Sequence, residues 1–484
     1  MTTELTHKMT NAAKWSVLTE LLAKMITPVS AMVLARLLTP EAYGVVATIT
    51  MVTSFAEIFA DAGFQKYMVQ HEFVDDLEKN ECANVAFWSN VIISISLWAL
   101  IVIFRNIIAA LVGNPGLGNA LAIAGISIPL ISISSLQMAL FRRDFDYKTL
   151  FQIRLCTILV PFIITIPIAF VTRSYWALIV GTIVTNLTNT ILLSKRAKWS
   201  PKRKFDKNWF LKMFSFSMWT LLEHISIWLS GNIDIFIVGS LLSASYLGMY
   251  KTAMTTSTMI LAIITGATTS ILFSALSRLQ NDISEFRKVF LQFQRIISLL
   301  ILPMGVGIYI YREFVTFILL GKQWMDVADF LGMYALLGAF STVLSHYCSE
   351  IYRSLGKPKV SFTVQIIYIL GLIPIIYWGA SQTFEMLTIS RSFMRLYMIV
   401  VHAIFMWKLL RMSMWQFVKN ISPSIISAFL MGIFGTWINT LYDHILWNVI
   451  CIGLCIVFYF MVIWIFLPNL RKEGVNFLQK NIGK

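Results

Sequence analysis

Long apolar runs, each near the roughly 20 residues a helix needs to cross hydrocarbon, recur from one end of this chain to the other. Polar residues are gathered into short breaks between the runs, and no long polar block leaves room for a soluble domain. The pattern predicts an all-α integral membrane protein of about fourteen transmembrane helices. They fall near 15–37, 42–63, 82–104, 118–138, 150–171, 176–194, 214–240, 247–273, 292–311, 327–347, 361–379, 386–410, 421–441 and 447–468. The first run begins near Trp15 and passes Arg36 without a small-residue cleavage site, so it reads as a retained helix and not a signal peptide. The run at 386–410 carries Arg391 and Arg395. If that helix begins later, both arginines are loop residues.

Charge orients the spans. The net charge is +15, with 39 Lys and Arg against 24 Asp and Glu. In a membrane protein such an excess belongs to cytoplasmic loops facing anionic lipid heads, and it calls for no nucleic-acid partner. With the N-terminus in the cytoplasm, most of the basic residues fall on that side. The segment between spans six and seven dominates, with Lys195, Arg196, Lys198, Lys202, Arg203, Lys204, Lys207 and Lys212. Both termini are therefore expected in the cytoplasm, in agreement with an even number of spans. The same segment divides the chain into six spans and eight. Leu37-Leu38 with Tyr43-Gly44 follows the first span, and Leu241-Leu242 with Tyr246-Leu247-Gly248 follows the seventh, at an offset of 204 residues. This weak echo fits a parallel repeat, a common construction in transporters.

Composition narrows the function. The chain is 57% hydrophobic and 13% charged, where a soluble domain carries about 25% charge. The five cysteines form no metal-type CxxC and imply no disulfide framework. The longest predicted outside loop, around 312–326, has about 15 residues. An enzyme working on the outer face needs a larger external segment on which to build a site. Asp75-Asp76 resembles a metal-binding acidic pair of a glycosyltransferase, but an isolated pair in a polar loop reads as solvated. There is no Walker-type glycine loop, no HExxH and no catalytic triad. No cofactor or metal is expected.

Several short motifs, in order, point to one family. Ala35-Arg36-Leu37-Leu38-Thr39-Pro40-Glu41-Ala42-Tyr43-Gly44 resembles the first external turn of the Wzx-like polysaccharide flippases. These are polysaccharide transporters of the multidrug/oligosaccharidyl-lipid/polysaccharide exporter superfamily. Phe141-Arg142-Arg143-Asp144-Phe145 resembles their loop after span four. Asn232-Ile233-Asp234, Val238-Gly239 and Leu247-Gly248-Met249-Tyr250 resemble their span seven to span eight signature. Ala275-Leu276-Ser277-Arg278-Leu279-Gln280, Gly321-Lys322-Gln323-Trp324 and Leu355-Gly356-Lys357-Pro358 resemble later turns. Ser274 stands where the family often has proline. The subgroup exporting colanic-acid-like or teichuronic-acid-like polymers looks most similar.

The resemblance implies two six-helix bundles around a central cavity, with two C-terminal helices added. The boundaries would be an N-terminal bundle at 1–194, a basic cytoplasmic linker at 195–213, a second bundle at 214–410, and two further helices with a tail at 411–484. The implied activity is moving an undecaprenyl-diphosphate-linked oligosaccharide from the inner to the outer leaflet by alternating access. That would serve O-antigen, capsule or exopolysaccharide synthesis in a bacterial plasma membrane, beside a polymerase and glycosyltransferases of the same pathway. A cation-coupled multidrug exporter of the same fold, and a membrane polymerase or glycosyltransferase, are the competing readings.

Ionisable residues inside spans cost several kcal/mol and are functional candidates by default. Lys24 lies nine residues into the first span, and Glu20 one turn earlier can pair with it. Either Lys24 lines the cavity and meets the diphosphate, or the two form a self-neutralised structural pair. Lys251, just after an external turn, could attract the anion at the outer mouth or be an interfacial lysine. Arg154 could contact substrate or snorkel inward. Arg391 and Arg395, one turn apart, would form a basic stripe suited to phosphate if they face the bundle. For ion coupling the candidates are Glu20, the like-charged pair Glu57 and Asp61, Glu223 with His224, and Asp234. His346 and Glu350 form a further pair one turn apart.

Overall fold

The computed structural model describes residues 2–61, 64–203, 205–442 and 444–466. The described residues contain helices and connecting turns but no strands, as hydrocarbon requires, because a helix satisfies its backbone polar groups internally. The long helices, in chain order, are α1 (Thr2–Leu37), α2 (Pro40–Asp61), α3 (Asp76–Ile103), α4 (Gly118–Arg143), α5 (Tyr147–Thr172), α6 (Trp176–Arg196) and α7 (Lys207–Leu241). They continue with α8 (Ala244–Ser277), α9 (Ile283–Ile310), α10 (Lys322–Ser354), α11 (Pro358–Gln382), α12 (Phe384–Leu410), α13 (Met414–Asn439) and α14 (Ile445–Phe466). Thirteen are long and apolar enough to cross a membrane alone, and α8 makes a fourteenth when its two bent parts count as one span. Each matches one predicted span. Their ends reach further than the apolar pattern because polar caps carry the helices beyond it. Asp282 accepts from the backbone N–H of Ser284 and Glu285 at the start of α9, and Ser413 and Gln416 form a reciprocal capping box on α13.

Two compact units divide the chain, Met1–Lys251 and Thr252–Lys484. In the first, α7 lies against α2, so it joins the helices that precede the basic loop. The loop itself is shorter than the basic run. Helix α6 ends at Arg196, and Asp206 caps a helix that starts at Lys207, which places Lys207 and Lys212 on α7. What remains is strapped to α3. The Trp88 indole N–H donates to the Lys202 carbonyl at 2.9 Å, and the Lys202 N–H donates to the Asn84 side-chain oxygen at 2.8 Å.

The two glycines of the internal echo meet. A Cβ on Gly44 would collide with the Ala244 carbonyl oxygen, and one on Gly248 with the Pro40 carbonyl oxygen. The starts of α2 and α8 therefore cross with backbone against backbone, and the close approach of membrane helices depends on such small residues. The second unit holds one large apolar core, including Phe286, Phe290, Ile301, Tyr347, Phe417 and Tyr459. Helix α9 packs on α10 and α13, and α12 packs on α10 and α11.

Candidate functional site

Helix α12 begins at Phe384, where the Thr383 side chain accepts from the Met386 N–H. Both Arg391 and Arg395 therefore lie inside the span, and their reading as loop residues is overturned. Arg395 is eleven residues into the helix, roughly 17 Å along it at 1.5 Å per residue. The stripe Arg391, Arg395, Met398 and His402 shares one face through steps of three and four residues. Gln365 and Tyr368 of α11 and Tyr334 of α10 stand against it, and together they line a cavity of about 250 Å³ within the second unit. Helix α10 makes a π-helical turn at Thr342–His346, and Thr342, Ser345 and His346 line the same cavity. Such turns break the regular register and are frequent at functional sites.

The electrostatics are one-sided. Arg391 is 6% exposed, and its guanidinium donates to the Tyr368 hydroxyl at 2.7 Å. It lies 5.9 Å from the centroid of the Tyr334 ring, and the Arg395 guanidinium lies 4.2 Å from the same ring. The Arg395 Nε is buried with no hydrogen-bond partner among the described residues. Among the described residues no carboxylate lines the cavity. Deeper along α12, His402 Nδ1 and the Tyr352 hydroxyl are 2.9 Å apart. The cavity thus offers two cations, hydroxyl groups and an aromatic face, and its lining supplies no counter-charge. Such a lining is complementary in charge to an anion.

Among the other predicted residues, Glu20 is exposed and Lys24 half-buried, and the structure shows no ion pair between them. Helix α1 packs mainly on α5. Lys251 is half-buried and Arg154 is exposed. Glu57 is half-buried on α2, and the Asp61 side chain lies outside the described residues, as does that of Glu223. His224 is half-buried. Asp234 is 1% exposed and accepts from the Tyr250 hydroxyl at 2.9 Å, which ties α7 to α8. Glu350 pairs with Arg353 at 3.2 Å instead of with His346, because the π-helical turn ends at His346 and the helix breaks at Tyr347 before it resumes at Cys348, so the regular one-turn spacing is lost. Asp75 and Asp76 are a helix cap and a partner of Lys79.

Sequence reasoning missed Tyr334, Gln365, Tyr368 and His402. The spacing from Arg391 and Arg395 could have found His402. The others sit on neighbouring helices and carry no local signal. The motifs behind the resemblance are joints. Arg143 donates to the carbonyls of Met68 and His71 at 2.9 and 2.6 Å, and Gly356 takes φ +66° just past a helix end, where glycine avoids a steric penalty.

The chain is 22% identical over 392 residues to the teichuronic acid biosynthesis protein TuaB of Bacillus subtilis, covering 80% of this chain and 79% of that one. Its fold matches that of the lipid II flippase MurJ in an inward closed conformation, with a TM-score of 0.73 at 14% identity over 95% of this chain and 99% of the other. It also matches an inward-facing multidrug resistance MATE family transporter of the MOP superfamily, with a TM-score of 0.61 at 12% identity over 80% and 94% of the two chains. The family model described as polysaccharide biosynthesis protein matches residues 33–329, more than half of this chain, and the chain belongs to that family.

Proposed function

We propose that this protein is a flippase that carries an undecaprenyl-diphosphate-linked oligosaccharide from the inner to the outer leaflet of a bacterial plasma membrane, by alternating access, for surface-polysaccharide synthesis. The observation that carries the reading is the cavity around Arg391 and Arg395, whose lining holds two cations and, among the described residues, no carboxylate. A diphosphate can leave water only where cations replace its hydration. The buried guanidinium of Arg391 and the half-buried one of Arg395 can give it charge-assisted, forked hydrogen bonds. Serine and threonine hydroxyls suit the sugar that follows. A cationic drug would meet the wrong sign of charge. The role is transport and not catalysis, both termini face the cytoplasm, and polymerase and glycosyltransferases act before and after it.

Lys24, Lys251 and Arg154 are further candidates for contact with the anion along its route. Glu20, Glu57, Asp61, Glu223, His224 and Asp234 remain the candidates for ion coupling, with Asp234 also bound into the α7–α8 joint. The test is Arg391→Gln with Arg395→Gln in a strain deleted for the gene, scored for surface polymer and for the level of inserted protein. Surface polymer should fall while lipid-linked repeat units accumulate inside. Full export by a normally inserted double variant would overturn the proposal. Loss of drug resistance with normal polymer would favour the drug exporter.

A further inference from the structure

A second group of cations sits in the second unit, and none of its residues lines the first cavity. Arg287 and Arg295 of α9, Arg411 at the end of α12, and Lys419 of α13 line a recess of about 410 Å³. Leu291 and Met412 supply apolar walls, and Gln416 adds a polar group. Arg287, Leu291 and Arg295 follow one another at steps of four, so they share a face of α9. Among the described residues no carboxylate lines the recess. The Nε atoms of both Arg287 and Arg295 are buried without a hydrogen-bond partner among the described residues. Such buried donors are nearly always paired in folded proteins, so two in one recess point to a ligand that completes them.

Arg411 adds an independent sign. It takes φ +51°, ψ +32° as the residue closing α12. Glycine adopts that left-handed conformation without cost, and arginine does not. The chain nonetheless places a cation there, with its guanidinium 5.5 Å from the Trp407 ring centroid.

The position identifies the ligand. The recess lies where α9 and α13 begin and α12 ends, the end of the bundle that carries the basic loops. Arg287 is roughly 6 Å and Arg295 roughly 18 Å from the start of α9 at 1.5 Å per residue. The cations therefore step from the membrane surface inward along an apolar wall. A soluble phosphate has no use for that wall, whereas a lipid headgroup with its acyl chains fits both parts. Basic pockets between transmembrane helices on the cytoplasmic side bind anionic headgroups in this way. We infer that this recess holds the phosphate headgroup of an anionic glycerophospholipid of the cytoplasmic leaflet, as a resident lipid clamping α9, α12 and α13.

The experiment uses the full-length protein purified in a neutral detergent. Binding of phosphatidylglycerol and of cardiolipin is measured by native mass spectrometry, with phosphatidylcholine as the neutral control and inorganic pyrophosphate as the soluble one. The anionic lipids should bind and raise the melting temperature, and the two controls should do neither. The variant Arg411→Gln with Lys419→Gln alters two exposed side chains. It should still fold and should bind the anionic lipids about thirtyfold more weakly, the effect of two basic contacts near an anionic surface. Lys408→Gln, an exposed lysine on α12 outside the recess, should leave binding unchanged. Equal lipid binding by the double variant, equal binding of phosphatidylcholine, or an equal effect of pyrophosphate would overturn the inference.

Discussion

Replacing Arg395 by glutamine should separate stability from transport. Holding an arginine at the centre of a transmembrane helix costs about 2.5–3.5 kcal/mol on insertion scales. Arg395 recovers part of this from the Tyr334 ring 4.2 Å away, a contact that contributes about 0.5–2 kcal/mol. Its Nε has no acceptor among the described residues, and Arg391 lies one turn away with the same charge. The empty protein therefore carries about 0.5–3 kcal/mol that the pocket does not offset. Arg395→Gln should leave the melting temperature of the purified protein unchanged or raise it. The loaded state behaves oppositely. A hydrogen bond between a charged donor and a phosphate oxygen contributes about 1.5–3 kcal/mol, so affinity for a diphosphate lipid should fall about 10- to 150-fold, and surface polymer should fall with it. The two readouts are a thermal melt of detergent-purified protein and polymer export at matched protein levels. A variant that melts well below the wild type yet exports fully would refute the reasoning, because Arg395 would then be part of the scaffold.

Gly44→Val should destabilise the protein by about 1–3 kcal/mol or more, the range for overpacking, because its side chain would collide with the Ala244 carbonyl. Gly248→Val strikes the same crossing, so a melt of the double variant should show less than the sum of the two losses. Tyr250→Phe removes the bond to buried Asp234 and should cost about 1–3 kcal/mol in the same assay. Trp88→Phe removes one strap on the basic segment, and limited trypsin digestion should then cut faster at Lys202 and Arg203, with α3 still folded.

The spans were legible because hydrocarbon imposes a length and a composition on each helix. Even α12 could be read, since two arginines in 27 residues leave enough apolar surface to span. The charge of the 195–212 run was legible too, but its form was not. Asp206 starts a helix inside it, and a cap depends on backbone geometry that the apolar pattern does not record. The candidate site was half legible. Arg391 and Arg395 could be read as a stripe. Tyr334 and Tyr368 come from other helices, and the π-helical turn at Thr342–His346 follows from no local pattern we can name. The break at Tyr347 that follows the turn spoiled the His346–Glu350 pairing, which assumed regular α spacing. The Glu20–Lys24 pairing failed differently: the spacing permits contact, but spacing does not fix the rotamers of two long side chains, and the structure shows no ion pair between them.

The partners of the buried and half-buried charges sort them by role. Asp234 is held by Tyr250, Arg143 by two backbone carbonyls, and Glu350 by Arg353. Each of these is answered by another part of the chain, so each can be explained by the fold alone. Arg395 is answered by the Tyr334 ring, and its Nε has no hydrogen-bond partner among the described residues, an arrangement that eases a cation without neutralising it. At an effective dielectric near 20, a unit charge about 4 Å from a guanidinium changes the energy by about 4 kcal/mol, favourably for an anion and unfavourably for a cation. Under the proposed function, the cavity would therefore select by the sign of the charge before any detail of shape matters. An anionic passenger relieves the repulsion between the two arginines when it enters and restores it when it leaves. The empty site is then left ready to take up the next anion, the cycle a carrier of lipid-linked diphosphates requires.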